Sequence, residues 1–348
     1  MGCFRENQER RAVEYVPYNR YFYNYPILSE IAVTYRCNAS CEFCYIDGKD
    51  KVEELLTEEM KIILFKIKEE AKVPSVSFTG GEPTLRADLF ELIKYARSIN
   101  LRVNLITNGV NIDERYARLL KDAGLNSVQI SLESGDKDEH EYLTKVKGSF
   151  NKVLSAIKYI KDNGIFVHTN TTINRLNKQS LAKLVDISKE LGTNRLSMNM
   201  LMPCGNAANN KDLWVSYTEI GEIVREVGFY AKEKGVEFMW YSPTPFCIFN
   251  PVEYGLGNKT CAAAHGLLSV NPLGDILPCS SLNISLGNLL KNNFDEIWFS
   301  KKALYYRMLE FAPSSCKSCS LFYVCGAGCP IYFEKVGLSE IMDKSISR

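Results

Sequence analysis

The sequence predicts an α/β fold: an open, partial parallel barrel of six β-α units, TIM-like in arrangement, followed by a small cysteine-rich C-terminal region. Three observations predict it. From residue 30 onward, short apolar runs alternate with amphipathic stretches. After about residue 243 that rhythm stops, and prolines 243, 245, 251 and 272 appear among many glycines. The 12 cysteines of the 348 residues are also unevenly spread: three lie at 37–44 and seven between 247 and 329, while Cys3 and Cys204 stand alone.

The strand-like runs are EIAVTY (30–35), SVSFTG (75–80), LRVNLITN (101–108), SVQISLES (127–134), IFVHTNTTI (165–173) and RLSMNML (195–201). They are rich in β-branched and apolar residues and too short for helices. Between them lie helical stretches at 57–71, 88–98, 112–123, 149–163 and 178–191. The first starts at Thr57 and sets Met60, Ile63, Leu64 and Ile67 on one side. Asn163-Gly164 and Leu191-Gly192 supply helix stops. Units in series imply a parallel sheet with right-handed crossovers, and six units are fewer than a closed barrel needs. A further helix is predicted at 217–234 and a further strand at 236–242. LLSVNPLGDILPC (267–279) reads as a β-hairpin turning at NPLGD. The chain therefore divides into an N-terminal extension (1–29), the barrel (30–240) and the cysteine-rich region with its tail (241–348).

Bulk properties exclude several function classes. Hydrophobic residues make up 46% and charged residues 24%, enough for a sizeable core. A net charge of +1 gives no electrostatic case for nucleic acid or an anionic membrane as partner. The sequence has no apolar run of transmembrane length and no signal-peptide pattern at its start. The opening MGCF is lipidation-like, but Glu6 stands where that motif wants Ser or Thr. A reducing cytoplasmic location is expected, where disulfides are disfavoured. Clustered cysteines then point to metal ligation.

Cys37, Cys41 and Cys44 are spaced C-x3-C-x2-C, without a fourth cysteine nearby. Thiolate sulfur suits zinc or an iron–sulfur cluster. A four-iron cube usually takes four cysteines, so three leave one iron open to bind a ligand directly. On the loop after the first strand, the trio lies at the carboxyl edge of the sheet, where α/β folds build active sites. The alternatives are a zinc site completed by His140, His168 or His265, and plain buried thiols.

With this spacing at the end of a first barrel strand, the chain resembles the radical S-adenosylmethionine (SAM) superfamily over about residues 30–240. Supporting segments match in order. Phe43 occupies the aromatic position before the third cysteine, which in the family packs near the adenine. TGGEP (79–83) resembles the glycine motif that holds the methionine amino group, and SLES (131–134) the segment contacting ribose and methionine. The resemblance thus implies a SAM-binding 4Fe-4S cluster on Cys37, Cys41 and Cys44, and SAM contacts from Phe43, Gly80, Gly81, Glu82, Ser131 and Glu133. Gly80 and Gly81 would let backbone approach the ligand without a Cβ, and Glu82 would offer a carboxylate to an ammonium. Relatives often carry an arginine where Thr144 stands here, with Lys145 or Lys147 as substitutes or as solvated surface charges. In the family, electron transfer into the sulfonium releases a 5′-deoxyadenosyl radical that abstracts substrate hydrogen. The protein aims that chemistry and excludes water.

The downstream pattern is C-x12-G-x4-C (Cys261, Gly274, Cys279), then C-x2-C-x5-C-x3-C (Cys316, Cys319, Cys325, Cys329). It resembles the SPASM extension of radical SAM enzymes, over about residues 243–335, and implies one or two auxiliary 4Fe-4S clusters. A zinc ribbon on Cys316–Cys329 is the alternative. By the family's arrangement, Cys261, Cys279 and Cys329 hold the first cluster, with Cys247 as expected fourth ligand. Cys316, Cys319 and Cys325 hold the second. The family's late cysteine for that second cluster is absent, since none follows Cys329, leaving Glu334, Glu340, Asp343 or water. Cys204, after the sixth strand, is a candidate hydrogen-atom donor or a small buried residue.

The resemblance implies a radical SAM oxidoreductase that modifies a peptide or protein. The alternatives are the same chemistry on a small molecule or a haem- or quinone-type precursor, and a non-catalytic electron carrier. An electron donor such as flavodoxin or ferredoxin is implied. About 29 residues precede the first strand, too few for a leader-binding domain, so either a separate leader-binding protein presents the peptide or the substrate needs no leader.

Overall fold

The computed structural model describes residues 25–46 and 54–345, with side chains described as far as Met342. Cys3, the MGCF start and most of the N-terminal extension lie outside the described residues, as does the side chain of Asp343. Seven parallel strands build the barrel: β1 (Leu28–Thr34), β2 (Ser75–Gly80), β3 (Arg102–Thr107), β4 (Ser127–Ser131), β5 (Phe166–Ile173), β6 (Arg195–Met200) and β7 (Phe238–Trp240). All seven fall within the runs read from the sequence, apart from the first two residues of β1. The hairpin is also present, as β8 (Leu267–Val270) and antiparallel β9 (Asp275–Leu277). It does not stand apart from the barrel. β8 pairs in parallel with the open edge of β1, and β10 (Gly287–Asn288) extends the sheet beyond β9. The result is one sheet ordered β10-β9-β8-β1-β2-β3-β4-β5-β6-β7.

The helices follow from capping and periodicity. They are α1 (Thr57–Glu69), α2 (Leu89–Ser98), α3 (Glu114–Asp122), α4 (Lys137–Thr144), α5 (Ser149–Asp162), α6 (Leu181–Leu191), α7 (Asn206–Asn209) and α8 (Tyr217–Lys234). α1 buries Met60, Ile63, Leu64 and Ile67, the stripe its periodicity predicts. Each such side chain contributes about 1.5–3 kcal/mol relative to exposure. α8 begins with a reciprocal cap: Glu219 N–H donates to Ser216 Oγ and Ser216 N–H to the Glu219 carboxylate, both at 3.1 Å. α6 stops at Gly192, whose φ of +60° is the left-handed conformation expected there. The short helix α4 was not anticipated. It is capped by Asp136, which accepts from the backbone of Asp138 and Glu139.

Period-two alternation sorts the strand side chains. Val76, Phe78, Val103, Leu105, Val128, Ile130 and Val167 are buried in the main core beneath the helices. Their neighbours face the concave side, where register aligns Ser131 with Asn170 and Thr172 with Asn199. A polar layer therefore lines the barrel interior. Among the described residues no helix is long and apolar enough to cross a membrane.

Candidate active site

Cys37, Cys41 and Cys44 sit on the loop leaving β1, and all three line one cavity of ≈470 Å³ inside the barrel. That volume is in the range of small-molecule sites. Phe43, Gly80, Gly81, Ser131 and Glu133 line the same cavity, so five of the six expected SAM contacts share a wall with the three thiols. The loop is held from outside. Glu42 N–H donates to Leu143 O at 2.9 Å, and the Glu42 carboxylate takes Lys145 Nζ at 2.5 Å and Asn210 at 3.1 Å. Asn206 donates to Cys44 O through its backbone (2.8 Å) and to Cys41 O through its side chain (2.9 Å). Phe43 packs against the small core of Leu143, Leu201, Ala207 and Leu213.

The glycine motif works differently from the expectation. A Cβ on Gly80 would stand 2.1 Å from Thr34 O, and one on Gly81 2.3 Å from Arg36 O. Gly80 also has a φ of +137°. The two glycines are thus demanded by close packing against the backbone that leads into Cys37, not only by approach to a ligand. Gly81 and Glu82 N–H groups donate to Thr34 O and Arg36 O, each at 2.8 Å, locking the two loops together.

Glu82 is a correction. Its fully buried carboxylate accepts from Thr84 N–H (3.0 Å), Thr84 Oγ1 (2.7 Å), Thr107 Oγ1 (2.7 Å) and Asn108 N–H (2.8 Å). With four internal donors it ties β2 to the end of β3, and it is not part of the cavity wall. Nor do Lys145 and Lys147 take the arginine's place. Lys145 pairs with Glu42 over the Tyr142 ring, Lys147 is exposed, and Thr144 lines the cavity instead.

Glu133 is 2% exposed and accepts the Thr172 N–H at 2.8 Å. Burial pushes its carboxyl up to about 8, against the lowering by that single hydrogen bond. His140, beside it, accepts the Glu133 N–H on Nδ1 at 3.1 Å, and burial pulls the ring down to about 4. Burial thus favours the uncharged form of both groups near neutral pH.

Sequence reasoning missed His140, Gln129, Asn170, Thr172 and Asn199 as cavity residues. The alternation of β4 to β6 carried a signal for four of them, but only the closed sheet shows which face is concave. Glu30 and Tyr45 were missed too; they line the cavity toward Ser280 and Ser281, next to Cys279. Glu30 accepts from Ser269 Oγ at 2.6 Å, and burial raises its carboxyl.

The remaining thiols fall into two groups. Burial lifts the Cys279 thiol well above its ordinary value, with Cys261 and Cys329 adding to the effect. Burial likewise lifts Cys329 to about 12, then Cys261, and Cys204 more weakly, add to it. Cys204 is not among the residues lining the cavity, and it adds weakly to the raising of the Cys329 thiol. In the second group, burial raises Cys316 to about 11, with Cys325, Cys247 and Cys319 contributing. Cys247 was expected with Cys261, Cys279 and Cys329, but its neighbour Phe246 donates its N–H to Cys325 Sγ at 3.2 Å, so the chain path sets Cys247 next to Cys325.

Among the described residues no set of three or more His, Cys, Asp or Glu side chains converges to hold a single metal ion. The fit to iron–sulfur clusters rests on placement and charge. Three thiols share a cavity wall, and the buried thiols disfavour one another's ionisation, a condition that bound cations relieve.

Residues 31–191 match the Radical SAM superfamily, and residues 261–320 match SPASM, an iron–sulfur cluster-binding domain. The chain is a radical SAM enzyme with a SPASM region. This radical SAM chain is 28% identical over 314 residues to an AdoMet-dependent heme synthase of Nitratidesulfovibrio vulgaris, covering 85% of each protein. It is 28% identical over 315 residues to a PqqA peptide cyclase of Rhizobium meliloti, covering 87% of this chain and 82% of that one. Its fold matches Streptococcus suis SuiB bound to the precursor peptide SuiA with a TM-score of 0.75, at 20% identity over 90% of this chain and 73% of that one. It also matches anSMEcpe with bound AdoMet with a TM-score of 0.68, at 20% identity over 92% of this chain and 99% of that one. Radical SAM proteins of this kind carry the SAM-binding 4Fe-4S cluster, SAM itself and auxiliary iron–sulfur clusters.

Proposed function

We propose that the protein oxidatively modifies a peptide or protein side chain seated between the barrel and the SPASM region, which divide near residue 240. One observation carries this reading. The cavity that begins at Cys37, Cys41 and Cys44 runs to Ser280 and Ser281, immediately after Cys279. A substrate in it lies between the place where hydrogen is abstracted and a place where an electron can leave. Cys37, Cys41 and Cys44 would hold the cluster, which with SAM bound would supply a 5′-deoxyadenosyl radical, an electron from a donor such as flavodoxin or ferredoxin breaking the sulfonium–C5′ bond and methionine leaving. The chain's own residues do the rest: Phe43, Gly80, Gly81, Ser131 and Glu133 seat SAM, and the Asn170, Thr172 and Asn199 layer faces the substrate.

The peptide reading is supported by the PqqA peptide cyclase among the relatives and by the SuiA precursor peptide on SuiB. A second reading, the same chemistry on a haem- or quinone-type precursor, is favoured by the heme synthase relatives. Anaerobic turnover with SAM and a reductant, followed by mass comparison of candidate peptides and porphyrin precursors, separates the two. The proposal predicts a peptide that has lost two hydrogens, or gained a cross-link of the same mass change. A converted porphyrin with unaltered peptides contradicts it.

A further inference from the structure

We propose that Cys247 supplies the fourth thiolate of the second auxiliary site, beside Cys316, Cys319 and Cys325. The inference rests on the reading of these cysteines as iron–sulfur ligands and goes beyond it in assigning a ligand from the end of the barrel.

The argument begins with the backbone. The segment after β7 turns at Pro245, whose carbonyl accepts from Ile248 N–H (2.9 Å) and Phe249 N–H (3.0 Å). Phe249 is buried, stacks on Tyr254 with ring centroids 5.3 Å apart, and packs tightly over Gly221 of α8. The turn is thereby fixed to the barrel. Its other side is held against the C-terminal cysteine run, and the segment that follows it is tied to the same run. Phe246 N–H donates to Cys325 Sγ at 3.2 Å. Pro245 Cγ lies 3.2 Å from where a Cβ of Gly328 would stand. Asn258 donates to Val324 O at 3.0 Å. Cys247, the residue after Phe246, is thus carried by the turn to the side of Cys325.

Among the described residues, the two glutamates that are candidate ligands are engaged elsewhere. Glu340 accepts from Tyr217 N–H (3.1 Å), Thr218 N–H (2.9 Å), Thr218 Oγ1 (2.8 Å) and Tyr332 OH (2.5 Å), so it caps α8. The Glu334 side chain is 67% exposed and pairs with Lys335. A thiolate from Cys247 is also the softer donor that iron–sulfur chemistry prefers. A cluster at this site would cross-link the end of the barrel to the C-terminal segment, as a disulfide would in an oxidising compartment.

The test counts iron and sulfide in the full chain after anaerobic reconstitution. Three four-iron clusters give about 12 irons per chain. Cys316→Ala and Cys261→Ala serve as references for the second and first sites, each leaving about 8 irons. The proposal predicts that Cys247→Ala also leaves about 8, that Cys247→Ala with Cys316→Ala stays near 8, and that Cys247→Ala with Cys261→Ala falls to about 4. The reverse pairing overturns it. Should a cluster persist on three thiolates, the electron paramagnetic resonance spectrum of reduced Cys247→Ser decides. A shift confined to the second-site signal supports the proposal, and a wild-type spectrum with about 12 irons overturns it. If the wild type itself holds only about 8 irons and Cys316→Ala removes none, no cluster occupies the site and the proposal falls. Failure of the enzyme reading is separate: Cys41→Ala would then remove no iron.

Discussion

Glu133 sets a proton-coupling experiment that follows directly from its surroundings. In the ligand-free chain burial places its carboxyl at about 8, so at pH 7 about 0.9 of the molecules carry the proton. If Glu133 contacts SAM as proposed, a ribose hydroxyl donating to it would favour the carboxylate and lower its pKa in the complex. SAM binding should therefore release up to about 0.9 proton at pH 7, up to about half a proton at pH 8, and almost none at pH 9.5. Affinity rises with pH, by up to about tenfold per unit, until the free-state pKa near 8 is passed. His140 adds nothing in this window, because burial holds its ring at about 4 and it is neutral throughout. The assay is titration calorimetry of SAM under anaerobic conditions, in buffers of different ionisation enthalpy, which reads proton release directly. In Glu133→Gln the release should vanish and affinity should become flat with pH. Equal proton release in wild type and variant would refute the reasoning, as would none in the wild type.

Gly81→Ala places a Cβ 2.3 Å from Arg36 O, so it should displace the loop that carries Cys37 at a cost of about 1–3 kcal/mol. The expected readout is loss of SAM cleavage with auxiliary iron retained, measured by product analysis and iron counts. Glu340→Gln weakens the cap on α8, and about 1–3 kcal/mol of stability should be lost in denaturant titration with cluster absorbance unchanged until unfolding. The Lys145–Glu42 pair is partly exposed, with side-chain exposures of 38% and 27%, so a double-mutant cycle should return less than about 1 kcal/mol.

The legible parts of this molecule were those encoded locally. The spacing of Cys37, Cys41 and Cys44, the alternation of β1 to β6 and the left-handed stop at Gly192 each depend on neighbours a few residues away. What stayed hidden depends on closure. Glu82 looked like a ligand because its motif faces the active edge, yet Thr107 and Asn108, at and just past the end of the next strand, claim its carboxylate. Cys247 looked like a partner of Cys261 by proximity in sequence, but the turn at Pro245 carries it onto Cys325. The parallel pairing of β8 with β1 was equally out of reach, since nothing in a hairpin's own sequence names the strand its edge will meet.

The central claim is that Cys37, Cys41 and Cys44 present SAM to an electron in the cavity they line. The most direct measurement is product analysis of the anaerobically reduced protein with added SAM, beside Cys41→Ala. The account predicts 5′-deoxyadenosine and methionine from the wild type and neither from the variant. Intact SAM in both samples, with wild-type iron fully loaded, would contradict it.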